Sequence, residues 1–234
     1  MRFKRFICAG LCLSLVTLIG CGHADHSGTT STSSSETSAA TPTRIACVGD
    51  SNTAGYGAES YTAYLAERLG NGYAVSNYGV SGTTAMASGI DPYNDTAAYE
   101  ASLADEPDIV VLMFGTNDTN RSSWRGGDAF AEEYADLVHT YQTLDSSPTV
   151  LLCTPPAPHF EETAGMVSFG VQPAAFAAVN DSIHTLAERE GLTVVDIYNL
   201  TLNHPEWFLD DGIHLANEGA QAVADAIAEA VEKR

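Results

Sequence analysis

Six consecutive apolar residues, Ile109-Val110-Val111-Leu112-Met113-Phe114, constrain this chain more than any other feature. A strand apolar on both sides must be covered on both, which is the situation of a central strand in a parallel sheet. The central run is read as Asp108 to Phe114, and four more apolar runs accompany it: Arg44 to Val48, Tyr73 to Asn77, Thr149 to Cys153 and Thr193 to Ile197. Segments of helical period lie between them. Tyr61, Leu65 and Leu69 recur every fourth residue, and Phe130, Tyr134, Leu137, Val138, Tyr141 and Leu144 trace one helix face. Phe176, Val179, Ile183 and Leu186 trace another that Gly191 stops, and Ala220, Val223, Ala224, Ile227 and Val231 trace the last. This alternation predicts an α/β fold with three α/β/α layers, a five-stranded parallel sheet carrying helices on both faces. The stripes are core rather than a ligand groove.

Val48-Gly49-Asp50-Ser51-Asn52-Thr53-Ala54-Gly55 joins the first run to a helix-like segment, Glu59 to Gly70. Open parallel sheets hold their chemistry at the carboxyl ends of strands, so Ser51 stands where a nucleophile belongs. Three further stretches, Asn77-Tyr78-Gly79, Gly115-Thr116-Asn117-Asp118 and Asp211-Gly212-Ile213-His214, end strand-like runs or lie in loops. In order and spacing the four blocks resemble the SGNH (GDSL-type) esterase and lipase superfamily, and together they cover nearly all of residues 44–232. Asn52 departs from the family, which more often has Leu or Ile there; the departure bears on subfamily and hardly on mechanism. Right-handed crossovers and the resemblance together imply a flavodoxin-like strand order, 2-1-3-4-5. The loops carrying Ser51, Gly79 and Asn117 then converge on one edge of the sheet, and Asp211 and His214 follow the fifth strand.

A serine hydroxyl attacks poorly at neutral pH unless a base removes its proton. His214 is the candidate base, with Asp211 fixing its tautomer and stabilising the imidazolium. Asp210 is adjacent and is the alternative partner, although the family pattern sets the acid three residues before the histidine. His139, on the Phe130 helix, reads as structural. The resemblance implies an oxyanion hole built from the backbone N–H of Ser51, the backbone N–H of Gly79 and the side-chain amide of Asn117. Glycine suits position 79 because a missing Cβ lets the backbone approach a substrate. There is no His-Glu-x-x-His, no Gly-x-Ser-x-Gly elbow and no Walker loop, so no metal and no cofactor is expected.

The segment from Gly115 to Pro156 resembles the branch of the family that deacetylates sugars, including sialate and xylan O-acetylesterases. A serine esterase acting on O-acetyl groups of carbohydrates through an acyl-enzyme is the reading this implies. Trp124 suits either stacking on a sugar ring or packing on the domain, and His159 and Trp207, in loops near the rim, share that ambiguity. A lysophospholipase or thioesterase of the same superfamily is the near rival. From another class, Ser51-Asn52-Thr53-Ala54-Gly55 has the composition of a flavin-phosphate loop, so a non-catalytic flavin- or glycan-binding lipoprotein is also carried; it leaves the Asp211 and His214 pair and Asn117 without a task.

Arg2, Lys4 and Arg5 precede an apolar run from Phe6 to Ile19 that ends Leu18-Ile19-Gly20-Cys21, the order of a signal peptide resembling a bacterial lipobox. Residues 1–20 are expected to be removed and Cys21 to carry lipid, giving a membrane-anchored, extracytoplasmic protein. Residues 21–43, rich in Ser and Thr, cannot bury enough apolar surface to order and read as a flexible tether, its His23 and His26 solvated. Loss of the three basic residues deepens the formal charge from −20 to −23, which repels phosphate backbones and argues against nucleic acid as partner. Cys47 and Cys153 fall on strands that the implied order separates by a third. Two strand steps of about 4.8 Å exceed the roughly 7 Å limit of a disulfide, so both are expected as buried free thiols.

Overall fold

The computed structural model describes residues 41–160 and 168–234. The expected signal peptide, the lipidation site Cys21 and all but the end of the expected tether lie outside the described residues. No helix among those described is long and apolar enough to cross a membrane.

In chain order the elements are β1 (Thr43–Gly49), α1 (Ser51–Ala54), α2 (Tyr61–Leu69), β2 (Tyr73–Gly79), α3 (Ala97–Ala104), β3 (Ile109–Met113), α4 (Gly127–Gln142), β4 (Thr149–Cys153), α5 (Ala175–Glu190), β5 (Thr193–Val195), α6 (Ile197–Thr201) and α7 (Asn217–Glu232). The strands form one parallel sheet ordered β2-β1-β3-β4-β5, as expected. Several boundaries differ from the sequence reading: β1 and β2 run on to Gly49 and Gly79, and β3 is trimmed to Ile109–Met113. The tether gives way to strand at Thr43, one residue early, and the fifth strand stops at Val195 because Asp196 caps α6, its carboxylate accepting from Asn199 N–H.

Alternate strand residues serve opposite faces, as a pleated strand requires. Ala46, Val48, Val110, Leu112, Val150 and Leu152 pack with α4 and α5, while Ile45, Cys47, Ile109, Val111, Leu151 and Cys153 pack with α2 and α7. All five residues of β3 are buried, which explains why its sequence is apolar without alternation. α3 was not legible as a helix because it carries only two large apolar residues, Tyr99 and Leu103, four apart and both laid on the α4 and α5 face.

β3 stands between the two cysteines: Cys47 registers with Val111 and Cys153 with Met113. Both are buried free thiols, and burial pushes the Cys47 thiol up to about 12 and that of Cys153 further.

Candidate active site

The chain turns into α1 as soon as β1 ends, so the stretch that joins β1 to α2 carries a short helix of its own. Asp50 caps the turn, its carboxylate accepting from Asn52 N–H at 3.0 Å, and Gly55 closes it. Ser51 is therefore the first helical residue, 4% exposed, at the carboxyl end of β1.

A second loop meets it from the far end of the sequence. An antiparallel bridge between Phe208 and Leu215 pinches the loop shut, and Leu209 N–H donates to the His214 carbonyl at 2.8 Å. Inside it, Asp211 Oδ1 accepts from the N–H groups of Ile213 and His214, both at 2.9 Å. Asp211 Oδ2 lies 2.7 Å from His214 Nδ1. His214 Nε2 lies 2.9 Å from Ser51 Oγ. Because a carboxylate only accepts, Nδ1 carries the imidazole proton, and Nε2 is left with the lone pair that faces the serine hydroxyl. Gly212 sits at φ 67°, and a Cβ there would collide with the His159 carbonyl.

Burial pushes the Asp211 carboxyl up, but the hydrogen bonds from His214 and Ile213 outweigh it and hold it below its ordinary value. Asp210, the alternative partner, is exposed, and its side chain makes no hydrogen bond among the described residues. His139 lies on the α4 surface, paired with Glu190 at 3.3 Å.

Ser51, Gly82, Asn117 and His214 line a pocket of about 210 Å³, with Tyr56 and Phe169 among its walls. A more open groove of about 640 Å³ runs along β5 and α7, but its lining pairs no nucleophile with a base, so chemistry assigns the smaller pocket.

Residues 47–222 match the GDSL-like Lipase/Acylhydrolase family. The chain belongs to that family. The match favours the hydrolase reading of Ser51 to Gly55 over the flavin-loop reading. Among characterised relatives, it is 30% identical over 220 residues to an acetylxylan esterase of Xylanibacter ruminicola, a match covering 81% of this chain and 43% of that protein, so the chain spans less than half of its relative's length. Its fold is similar to that of a carbohydrate acetylesterase from Sinorhizobium meliloti, with TM-score 0.68 and 22% identity over 82% of this chain and 99% of the other. The native aryl esterase of M. smegmatis is likewise similar, with TM-score 0.66 and 22% identity over 82% and 99% of the two chains.

Within this GDSL-like domain, one expected oxyanion donor needs correction. Gly79 is absent from the pocket lining, and its N–H already donates to Asn77 Oδ1 at 2.9 Å. The glycine is required there for another reason: a Cβ would collide with Ala54 N, so residue 79 lies against the back of the turn that carries Ser51. Asn77 reinforces that contact by donating to Thr53 O at 2.8 Å. Gly82, three residues on, lines the pocket instead, and its N–H meets no acceptor among the described residues. The only sequence signal for it was a second glycine in the same loop. Asn117 does reach the pocket, where Nδ2 donates one hydrogen to Thr83 O at 3.1 Å and keeps the other.

The aromatic walls were also missed. Tyr56 stacks on the His214 ring with centroids 4.0 Å apart and planes at 27°, and Phe169 meets the same ring edge-on at 5.4 Å. Phe169 takes a left-handed φ of 61°, uncommon outside glycine, and Asn120 Nδ2 grips its carbonyl at 2.7 Å. Trp124 packs against the α4 and α5 core, and Trp207 stacks flat on His204 at 3.7 Å; neither lines the pocket. His159 supports the His214 loop from outside, donating its N–H to Gly212 O at 2.6 Å and holding Nε2 3.0 Å from Thr201 O.

Proposed function

We propose that this protein is a serine esterase that removes O-acetyl groups from carbohydrates, with Ser51 as nucleophile, His214 as base and Asp211 as its partner. The observation that carries this reading is the line from Asp211 Oδ2 through the His214 ring to Ser51 Oγ, in steps of 2.7 and 2.9 Å, ending in a small pocket. Ser51 Oγ attacks the ester carbonyl carbon as its proton passes to His214 Nε2, and the carbonyl electron pair moves onto oxygen. The N–H groups of Ser51 and Gly82 and the remaining amide hydrogen of Asn117 are the donors to that oxyanion. Collapse breaks the bond to the sugar oxygen, which takes the proton from Nε2 and departs as an alcohol, leaving acetyl-Ser51. Water, giving its proton to the same nitrogen, then releases acetate and restores the serine.

Three features support the acetyl and sugar assignments. At about 210 Å³ the pocket falls below the roughly 300–1,000 Å³ of sites for drug-sized ligands, so it suits an acetyl group better than the long acyl chain of a lysophospholipid or thioester. The exposed rings of Tyr56 and Phe169 offer apolar surface to the C–H face of a sugar. The similar proteins include an acetylxylan esterase and a carbohydrate acetylesterase. Acetate release from acetylated xylan, and p-nitrophenyl esters of increasing acyl length, test both. Rates should be highest for acetyl and fall about 10⁶-fold in Ser51→Ala. A maximum at long chains ends the acetyl reading, and equal rates for the two proteins end the serine mechanism.

We further propose that the enzyme works outside the cytoplasm, held to a membrane by lipid on Cys21. The basic start, the apolar run and Leu18-Ile19-Gly20-Cys21 support this. Metabolic fatty-acid labelling should be abolished by Cys21→Ala, and labelling that persists overturns the assignment.

A further inference from the structure

The residue after the nucleophile departs from the family's usual Leu or Ile, and a carboxamide buried to 5% exposure needs partners for both its ends. Asn52 finds them across 161 and 163 residues of sequence, in the His214 loop. Its Oδ1 accepts from Leu215 N–H at 3.1 Å, and its Nδ2 donates to the Ile213 carbonyl at 3.4 Å, the longer and weaker bond. Those two groups belong to the peptides on either side of His214. Only this orientation of the amide matches donor to acceptor at both ends. Neither Leu215 N–H nor the Ile213 carbonyl has another partner among the described residues.

We propose that Asn52 is a positioning residue, whose side chain sets the separation of Ser51 Oγ and His214 Nε2 by gripping the backbone around the histidine. This rests on the serine mechanism proposed above. The other bonds that shape the His214 loop, from Asp211, Leu209 and His159, are made within the loop or from residues outside the nucleophile turn. They fix the loop's own form and leave its distance from α1 open. Among the described residues, hydrogen bonds from Ser51–Ala54 reach that loop from Ser51 and Asn52 alone. A nucleophile and base brought together from opposite ends of a chain need such a gauge, because a misplacement of about 1 Å costs about 10²-fold in rate.

The test compares Asn52→Leu, Asn52→Asp and Ser51→Ala in the full chain, on p-nitrophenyl acetate. Asn52→Leu should lower kcat by about 10–100-fold and leave KM within about twofold, since it loosens the reacting pair and not the pocket wall. Asn52→Asp keeps the acceptor for Leu215 N–H but loses the donor to Ile213 and adds an anion beside His214, where Asp211 already lies. An added anion favours the imidazolium, so the acid limb of kcat/KM should move to higher pH, a readout that a purely structural role would not move. Where Asn52→Leu fails to fold, that shift carries the test. A wild-type kcat in Asn52→Leu, or an unmoved acid limb in Asn52→Asp, overturns the inference while an inactive Ser51→Ala leaves the serine mechanism standing. An active Ser51→Ala removes both.

Discussion

Two sets of carboxyl groups flank Ser51, and they are tuned in opposite directions by the same two influences. Asp211 keeps 20% of its side chain exposed, accepts two backbone N–H bonds and faces an imidazole, and its carboxyl is held below the ordinary value. Asp50 and Asp118 also accept backbone N–H bonds, Asp50 from Asn52 and Asp118 from Ala85 and Met86, yet are 2% and 0% exposed with no cation beside them among the described residues. Burial, the larger influence, pushes Asp50 up to about 7 and Asp118 up to about 6, and the charge of Asp118 adds to the rise at Asp50. Hydrogen bonds from uncharged donors, the Thr116 side chain at Asp50 included, do not offset complete desolvation; partial exposure and an imidazole do. The carboxylate that must be charged to hold a histidine is the one left near water, and the two that anchor turns beneath the site are sealed in.

The largest test of that contrast is Asp211→Asn. The amide can offer a hydrogen to Nδ1, which favours the tautomer with its proton on Nε2, where the base must accept one. kcat should fall about 10⁴-fold with the fold retained, while Asp210→Asn leaves steady-state rates within about twofold. A collapse in Asp210→Asn with Asp211→Asn active would reverse the assignment of the partner acid.

What the sequence made legible divides along similar lines. β3 announced itself because burial on both faces leaves no room for polar residues, and the strand order was implied by crossover handedness together with the family resemblance. Asp211 and His214 were readable as a bonded pair because they lie within one turn. Gly79 was misassigned because the choice between two glycines depends on which N–H is already used, and the competing acceptor, Asn77 Oδ1, is set by how β2 ends. Tyr56 carried no periodic signal, and Phe169 reaches His214 only through a left-handed backbone angle. Asn52 looked incidental for the same reason: its partners lie at the other end of the chain.

A smaller effect is expected when one of the sealed carboxyls is neutralised. Asparagine caps helices as well as aspartate, so Asp50→Asn keeps the turn that presents Ser51. For the wild type the sign is fixed by a folded pKa of about 7 against an unfolded value of about 3.9. Between those values the folded state binds more protons, so the contribution of Asp50 to stability falls as pH rises and levels off above about 7. The melting temperature of Asp50→Asn relative to wild type should therefore climb from pH 4 to about 7 and then stay flat. A difference independent of pH would mean that Asp50 is ionised at no unusual cost.

The smallest effect separates burial from charge. Asp118→Asn retains an acceptor for one of the two N–H groups of Ala85 and Met86 but removes the negative charge that raises Asp50. The Asp50 carboxyl should then titrate below about 7 and still above the ordinary range, because desolvation is the larger cause and is untouched. In melting curves recorded against pH, the fall in stability assigned to Asp50 should finish at lower pH in Asp118→Asn than in wild type, and the double variant with Asp50→Asn should lose that fall entirely. If the Asp118→Asn curve instead ended where the wild-type curve does, the two carboxyls would not sense one another, and complete burial would be the whole difference between them and Asp211.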